Sequence, residues 1–119
     1  MVIYVREVRM IDYSEKTKLF KALADANRLK IIDILSCGER CACEILGHFE
    51  FTQPTLSHHM KVLSEVDLVH IRKEGAWSHY ALNMDTYREI TEFLDYIFHE
   101  SEDCICRVID RCQSKEKVI

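Results

Sequence analysis

The sequence predicts a mainly α-helical domain that carries one small β-hairpin, and three observations support this. One proline and three glycines in 119 residues are too few turn residues for a many-stranded sandwich, and they suit helices joined by short loops. Apolar residues recur at helical spacing, as at Leu56, Met60 and Leu63 and again at Ile90, Leu94 and Ile97, the period of a helix with one buried face. After Asp67 the pattern changes to that of strands. Residues 68–73 and 77–82 flank Glu74-Gly75-Ala76, a short hairpin signal.

Size and composition fit one domain over residues 1–119. A chain of 14.0 kDa with 48% hydrophobic and 30% charged residues has enough apolar surface for a core and is not of disordered composition. No apolar stretch approaches the roughly 20 residues of a membrane span. Arg6, Glu7 and Arg9 stand where the apolar region of a signal peptide would be. The expectation is a soluble, cytoplasmic protein with no membrane partner.

The elements follow in order. Residues 1–13, with Val2, Tyr4 and Val8, read as an N-terminal arm, either extended or a short helix. Ser14 is the expected cap of a first helix over 15–24, with Leu19, Phe20 and Leu23 on one face. A second helix starts at Ala26, carries Leu29, Ile32 and Leu35, and ends near Gly38. A short third spans 41–48. Thr52 then caps a fourth, with Pro54 in its first turn, where the missing N–H costs nothing. After the hairpin, a last helix runs from Asp85 to Cys104 or beyond, with Ile90, Phe93, Leu94, Ile97 and Phe98 as its apolar stripe. The predicted order is ααααββα.

Two short helices joined by a tight turn and followed by a hairpin read as a winged helix-turn-helix. Gln53, Thr55, Ser57, His58 and Lys61 fall opposite the apolar face of the fourth helix, as groups that read base edges in a major groove must. Arg72 and Lys73 precede the hairpin tip and His79 follows it, placed to meet phosphate. His59 and His70 belong to the same DNA-facing region. The net charge of −4 does not contradict this, because seven acids against one base fall in residues 85–103 and the rest of the chain is neutral to basic. Pattern alone fits an ordinary solvated helix surface equally well.

The segment FTQPTLSHHMKVLSEVDLVHIRKEGAWSHYAL resembles the helix-turn-helix and wing of the ArsR/SmtB family of metal-responsive repressors. ALADANRLKIIDIL is similar to that family's second-helix signature, and ERCACEIL to the thiol box of its arsenic- and cadmium-responsive members. The resemblance covers roughly residues 15–100. It implies a homodimer through the first and last helices (here 84–112), which binds double-stranded operator DNA and releases it when metal binds. Two residues depart from the family pattern. His58 stands where Arg is usual and cannot make the bidentate pair to guanine. Asp67 stands where Gly is usual, in a turn that needs a left-handed residue.

Six cysteines lie in two groups, Cys37, Cys41 and Cys43, and Cys104, Cys106 and Cys112. In a chain without a secretory signal such thiols stay reduced, and clustered reduced thiols suit soft metals or redox chemistry. An ideal helix would point Cys41 and Cys43 about 200° apart, so joint ligation needs an irregular helix start. The arsenic-type box has a third Cys where this chain has Leu46, and the cadmium type adds thiols from an N-terminal arm that here holds none. Cys37, Cys41 and Cys43 form the nearest local triad. The alternatives are the C-terminal group of the other subunit joined to Cys41 and Cys43, a separate site of Cys104, Cys106 and Cys112, or a redox role. The implied inducer is As(III) or Sb(III), or else a soft divalent ion, with no permanent cofactor. The family's carboxylate/histidine zinc site would fall on Met84, Thr86, Ile97 and Glu100, of which Glu100 alone offers such a ligand, and one carboxylate is not a site. His48 and His99 read as solvated or structural. No glycine loop, C-x-x-C or H-E-x-x-H motif appears, so an enzyme is not expected.

Overall fold

The computed structural model describes residues 12–99. The expectations for residues 1–11, for the last helix beyond residue 99 and for Cys104, Cys106 and Cys112 lie outside them. Residues 14–88 form one compact unit; among the described residues, Tyr13 and residues 89–99 belong to a second.

The order of elements is α1 (Tyr13–Leu23), α2 (Ala26–Leu35), β1 (Arg40–Cys41), α3 (Ala42–Leu46), α4 (Gln53–Glu65), β2 (Val69–Glu74), β3 (Trp77–Leu82) and α5 (Met84–Phe98). The winged helix-turn-helix class is borne out, with one addition: the wing has three strands, in the order β1-β3-β2. Arg40 pairs with Tyr80 and Cys41 with His79, antiparallel. A two-residue strand has no period of its own, so only its partner reveals it.

Several local expectations are corrected. Ser14 lies inside α1 and is not its cap. Thr52 is the cap residue of α4, but only its carbonyl engages, accepting from the Leu56 N–H at 3.1 Å. The cap of α2 is Asp25, in extended conformation, whose carboxylate accepts from the N–H groups of Asn27 and Arg28. That satisfies two of the orphan donors of a helix start. In α2 the buried residues are Ile31 and Leu35, while Leu29 is exposed.

The core of the first unit joins Ile31 of α2, Ile45 of α3 and Leu56, Met60 and Leu63 of α4, all at most 1% exposed. Leu68, Val69 and Tyr80 close it from the sheet side. Leaving α4, the chain reverses at Asp67, whose φ of 60° is left-handed. Asp tolerates that region better than most residues, so the turn forms here without the usual Gly. The Leu68 N–H then donates to the Leu63 carbonyl, and Thr86 Oγ1 donates to the Asp67 carbonyl at 2.6 Å. At the wing tip Gly75 takes φ 63° as the first of two turn residues, where a two-residue hairpin needs positive φ.

In the second unit Tyr13 and Phe93 meet edge to face, with ring centroids 6.4 Å apart. Ile90 is buried, and Ile97 and Phe98 are 44% and 77% exposed.

Candidate nucleic-acid interface and thiol pair

The residues of α4 divide by face. Leu56, Met60 and Leu63 are buried, whereas Gln53, Thr55, Ser57, His58 and Lys61 are all exposed. Gln53, Ser57 and Lys61 follow one another at four-residue spacing and so form one row along the helix. The row offers amide, hydroxyl and ammonium groups, the chemistry that reads base edges and phosphates. His59 is the exception to the sequence reading. It is 7% exposed and faces the protein.

His59 is part of what holds α4 in place. Arg28 of α2 brings Nη1 within 3.1 Å of His59 Nδ1, donates through Nε to the Ala22 carbonyl, and lies 3.9 Å from the Asp25 carboxylate. One guanidinium thus ties the end of α1, the cap of α2 and α4 together. Burial lowers the pKa of His59; the Arg28 and His58 charges act the same way, and Asp25 opposes them. The turn before α4 is fixed by a second set of contacts. Phe49 and Phe51 stack at 4.4 Å, Phe51 lies 5.5 Å from the His59 ring, and Lys30 donates to the His48 carbonyl at 2.9 Å.

The structure separates the two wing cations. Residues on a strand alternate faces, so Arg72 shares a face with its partner His79, and Lys73 shares the other with Ser78. Lys73 is exposed. Arg72 is engaged: Nη2 and Nε donate to the two carboxylate oxygens of Glu39 at 2.9 and 3.2 Å, and Nη1 donates to Glu74 at 3.2 Å. The hydrogen bond from Arg72 lowers the pKa of Glu39. His79 Nε2 lies 3.4 Å from Glu74 Oε1, and Trp77 beside the tip is 59% exposed.

The thiols of Cys41 and Cys43 touch, with Sγ atoms 2.7 Å apart. Their meeting is explained by the added strand. Cys41 is the extended N-cap residue of α3, with φ −84° and ψ 163°, rather than a residue inside the helix. The helical 200° separation therefore does not apply, and Sγ of Cys41 turns back over the first turn. The Cys41 N–H donates to Glu44 Oε1 at 2.9 Å and fixes this junction. The hydrogen bond between the two sulfurs pushes the Cys43 thiol up, with burial and the Glu44 carboxylate adding to it. Cys37 is exposed in the turn after α2, where its N–H donates to the Ile34 carbonyl. Among the described residues no three His, Cys, Asp or Glu side chains stand grouped as metal ligands. The pair is assembled here, and the triad is not.

Sequence reasoning missed Arg28 and Glu39 and put His59 on the wrong face. Asp25 before Ala26 carried an available cap signal. Glu39 carried none, because it meets Arg72 across 33 residues of sequence.

Comparison with known proteins gives a consistent result. The model described as "Bacterial regulatory protein, arsR family" matches residues 25–70. The arsenical resistance operon repressor of Staphylococcus aureus is 45% identical over 97 residues, 82% of this chain and 93% of that one. Among solved structures, HlyU from Vibrio cholerae is 29% identical with a TM-score of 0.60, covering 72% of this chain and 94% of that chain. A homodimeric winged helix-turn-helix DNA-binding domain from Mycobacterium bovis is 25% identical with a TM-score of 0.57, covering 76% and 89%.

Proposed function

Because the chain belongs to the arsR family of bacterial regulatory proteins, we propose that it is a transcriptional repressor that binds operator DNA as a homodimer and lets go when As(III) or Sb(III) binds its thiolates. It is a regulatory protein and not an enzyme. Gln53, Thr55, Ser57, His58 and Lys61 read the operator from α4, and Arg72 and Lys73 hold phosphate from the wing. Cys41 and Cys43 supply two thiolates to the inducer. The observation that carries this is the 2.7 Å contact between the two sulfurs, at the start of the helix pair that ends in α4. Trivalent arsenic is strongly thiophilic and takes three sulfurs in a pyramid, and Cys37 is the third thiol nearest in sequence. No helix among the described residues is long and apolar enough to cross a membrane.

The second reading starts from the described residues, among which no third ligand is grouped with Cys41 and Cys43. If the C-terminal cysteines of the other subunit complete the site, four sulfurs become available and a soft divalent ion such as cadmium fits better. Titrating the repressor–operator complex in parallel with arsenite, antimonite, cadmium, zinc and peroxide decides between these. Release by arsenite and antimonite at the lowest concentrations supports the first reading. Release by cadmium alone supports the second, and release by peroxide alone replaces both with a redox switch.

A further inference from the structure

The three-stranded sheet brings the thiol pair and the wing cation onto one face. Cys41 is paired with His79, and His79 with Arg72, so the three side chains form a row across β1, β3 and β2. Glu39 lies two residues before Cys41, on the same side of the extended chain, and grips Arg72 through both carboxylate oxygens. Glu74 takes the remaining nitrogen of the guanidinium. The wing cation nearest the tip that shares a face with the thiols is therefore already occupied by carboxylate.

A guanidinium binds carboxylate and phosphate through the same fork. Arg72 cannot give both donors of that fork to Glu39 and to a phosphate at once, and the Glu39 carboxylate repels the phosphate it would have to share with. The pair is exposed, with side chains 50% and 41% accessible, so it opens without unfolding anything.

We propose that Glu39 is an intramolecular competitor of operator phosphate for Arg72, and that it connects a ligand on Cys41 and Cys43 to the wing. The connection rests on the function proposed above. A ligand held by Cys41 and Cys43 fixes the junction of β1 and α3, and so fixes the chain that carries Glu39. An ordered Glu39 holds Arg72 at a smaller entropic cost, and the equilibrium moves from the phosphate-bound wing to the carboxylate-bound one. Glu39 acts through Arg72 and is a positioning residue.

The test is Glu39→Gln, alone and with Arg72→Gln, in full-length protein with its operator. The wild-type protein is the control: if it does not bind operator or ignores every inducer, the function proposed above fails and not this inference. Glu39→Gln is expected to bind about fivefold tighter near 0.1 M salt, with a salt slope steeper by about 0.9, the value of one added phosphate contact. In the Arg72→Gln background the same change should have no effect, and circular dichroism should show an unchanged fold. The release by inducer should shrink severalfold in Glu39→Gln. Unchanged or weaker operator binding by Glu39→Gln overturns the competition. Tighter binding with full inducer release overturns the connection to the thiols.

Discussion

Arg28 Nη1 stands 3.1 Å from His59 Nδ1, and this distance fixes the tautomer of the histidine. A guanidinium only donates, so Nδ1 must accept and the ring proton sits on Nε2. Helix α4 is therefore held against α2 by a neutral imidazole. Protonating that ring would set a second cation against Arg28, in a place where Asp25 is the one opposing charge among the groups acting on it.

The pH dependence follows with a definite sign. The pKa of His59 in the folded protein is lowered, chiefly by burial, so as pH falls the unfolded chain takes up the proton first. The stability from the neutral ring is complete above the ordinary histidine value of about 6.5 and is lost as pH falls through the lower folded value. Thermal unfolding from pH 7.5 to 5 should show wild type losing more stability than His59→Gln, which keeps an acceptor for Arg28 and cannot titrate. Parallel loss in both proteins would dismiss the idea.

Ser57 and His58 are exposed on α4 beside buried His59 and Met60. Replacing both with Ala should leave the unfolding midpoint nearly unchanged and weaken operator binding roughly tenfold or more, the scale of one or two lost base contacts. Binding to random duplex should change little, because phosphate contacts carry it. Fluorescence anisotropy with both duplexes checks this. An equal loss on both would mean that these residues touch backbone and not bases.

The legibility of the sequence follows the range of each interaction. The buried face of α4 was readable because Leu56, Met60 and Leu63 repeat within one helix, and the hairpin because Gly75 sits between two strand-like runs. The left-handed turn at Asp67 was readable from the family pattern, which has Gly at that position, and from the tolerance of Asp for that region. His59 was misplaced with the DNA-facing residues, since its neighbours Ser57 and His58 are polar and nothing local marks the reach of Arg28 from α2. Strand β1 was absent because two residues pair only with a strand 38 residues onward, Cys41 with His79. The thiol pair depends on that same strand. Taken as helical, Cys41 and Cys43 point apart; with Cys41 extended, they touch.

Assembly can be tested on α5. Ile97 and Phe98 are 44% and 77% exposed while Leu94 is half-buried, an apolar stripe suited to a second copy across a two-fold axis. Leu94→Glu would bury a charge in such an interface. It should turn the dimer into monomer in analytical ultracentrifugation and abolish operator binding with it. A monomer that still binds operator tightly would refute the dimer as the DNA-binding form.

The thiol assignment is tested by substitution. Cys41→Ser or Cys43→Ser removes one sulfur of the touching pair but leaves the Cys41 N–H bond to Glu44 and the pairing with His79 in place. Cys43 is exposed and Cys41 half-buried, and substitutions that leave the structural bonds in place are nearly neutral, so operator affinity should stay within about twofold of wild type. Release by arsenite should be lost. Cys37→Ser should weaken the response if that residue completes the three-sulfur pyramid, and the joint replacement of Cys104, Cys106 and Cys112 should then leave it largely unchanged. If the C-terminal triple variant alone is deaf to arsenite, the sensor lies near the last helix, and the contact between Cys41 and Cys43 plays no part in induction. If both the triple variant and Cys41→Ser are deaf, the two groups share one ion across subunits, and four sulfurs make cadmium the better ligand.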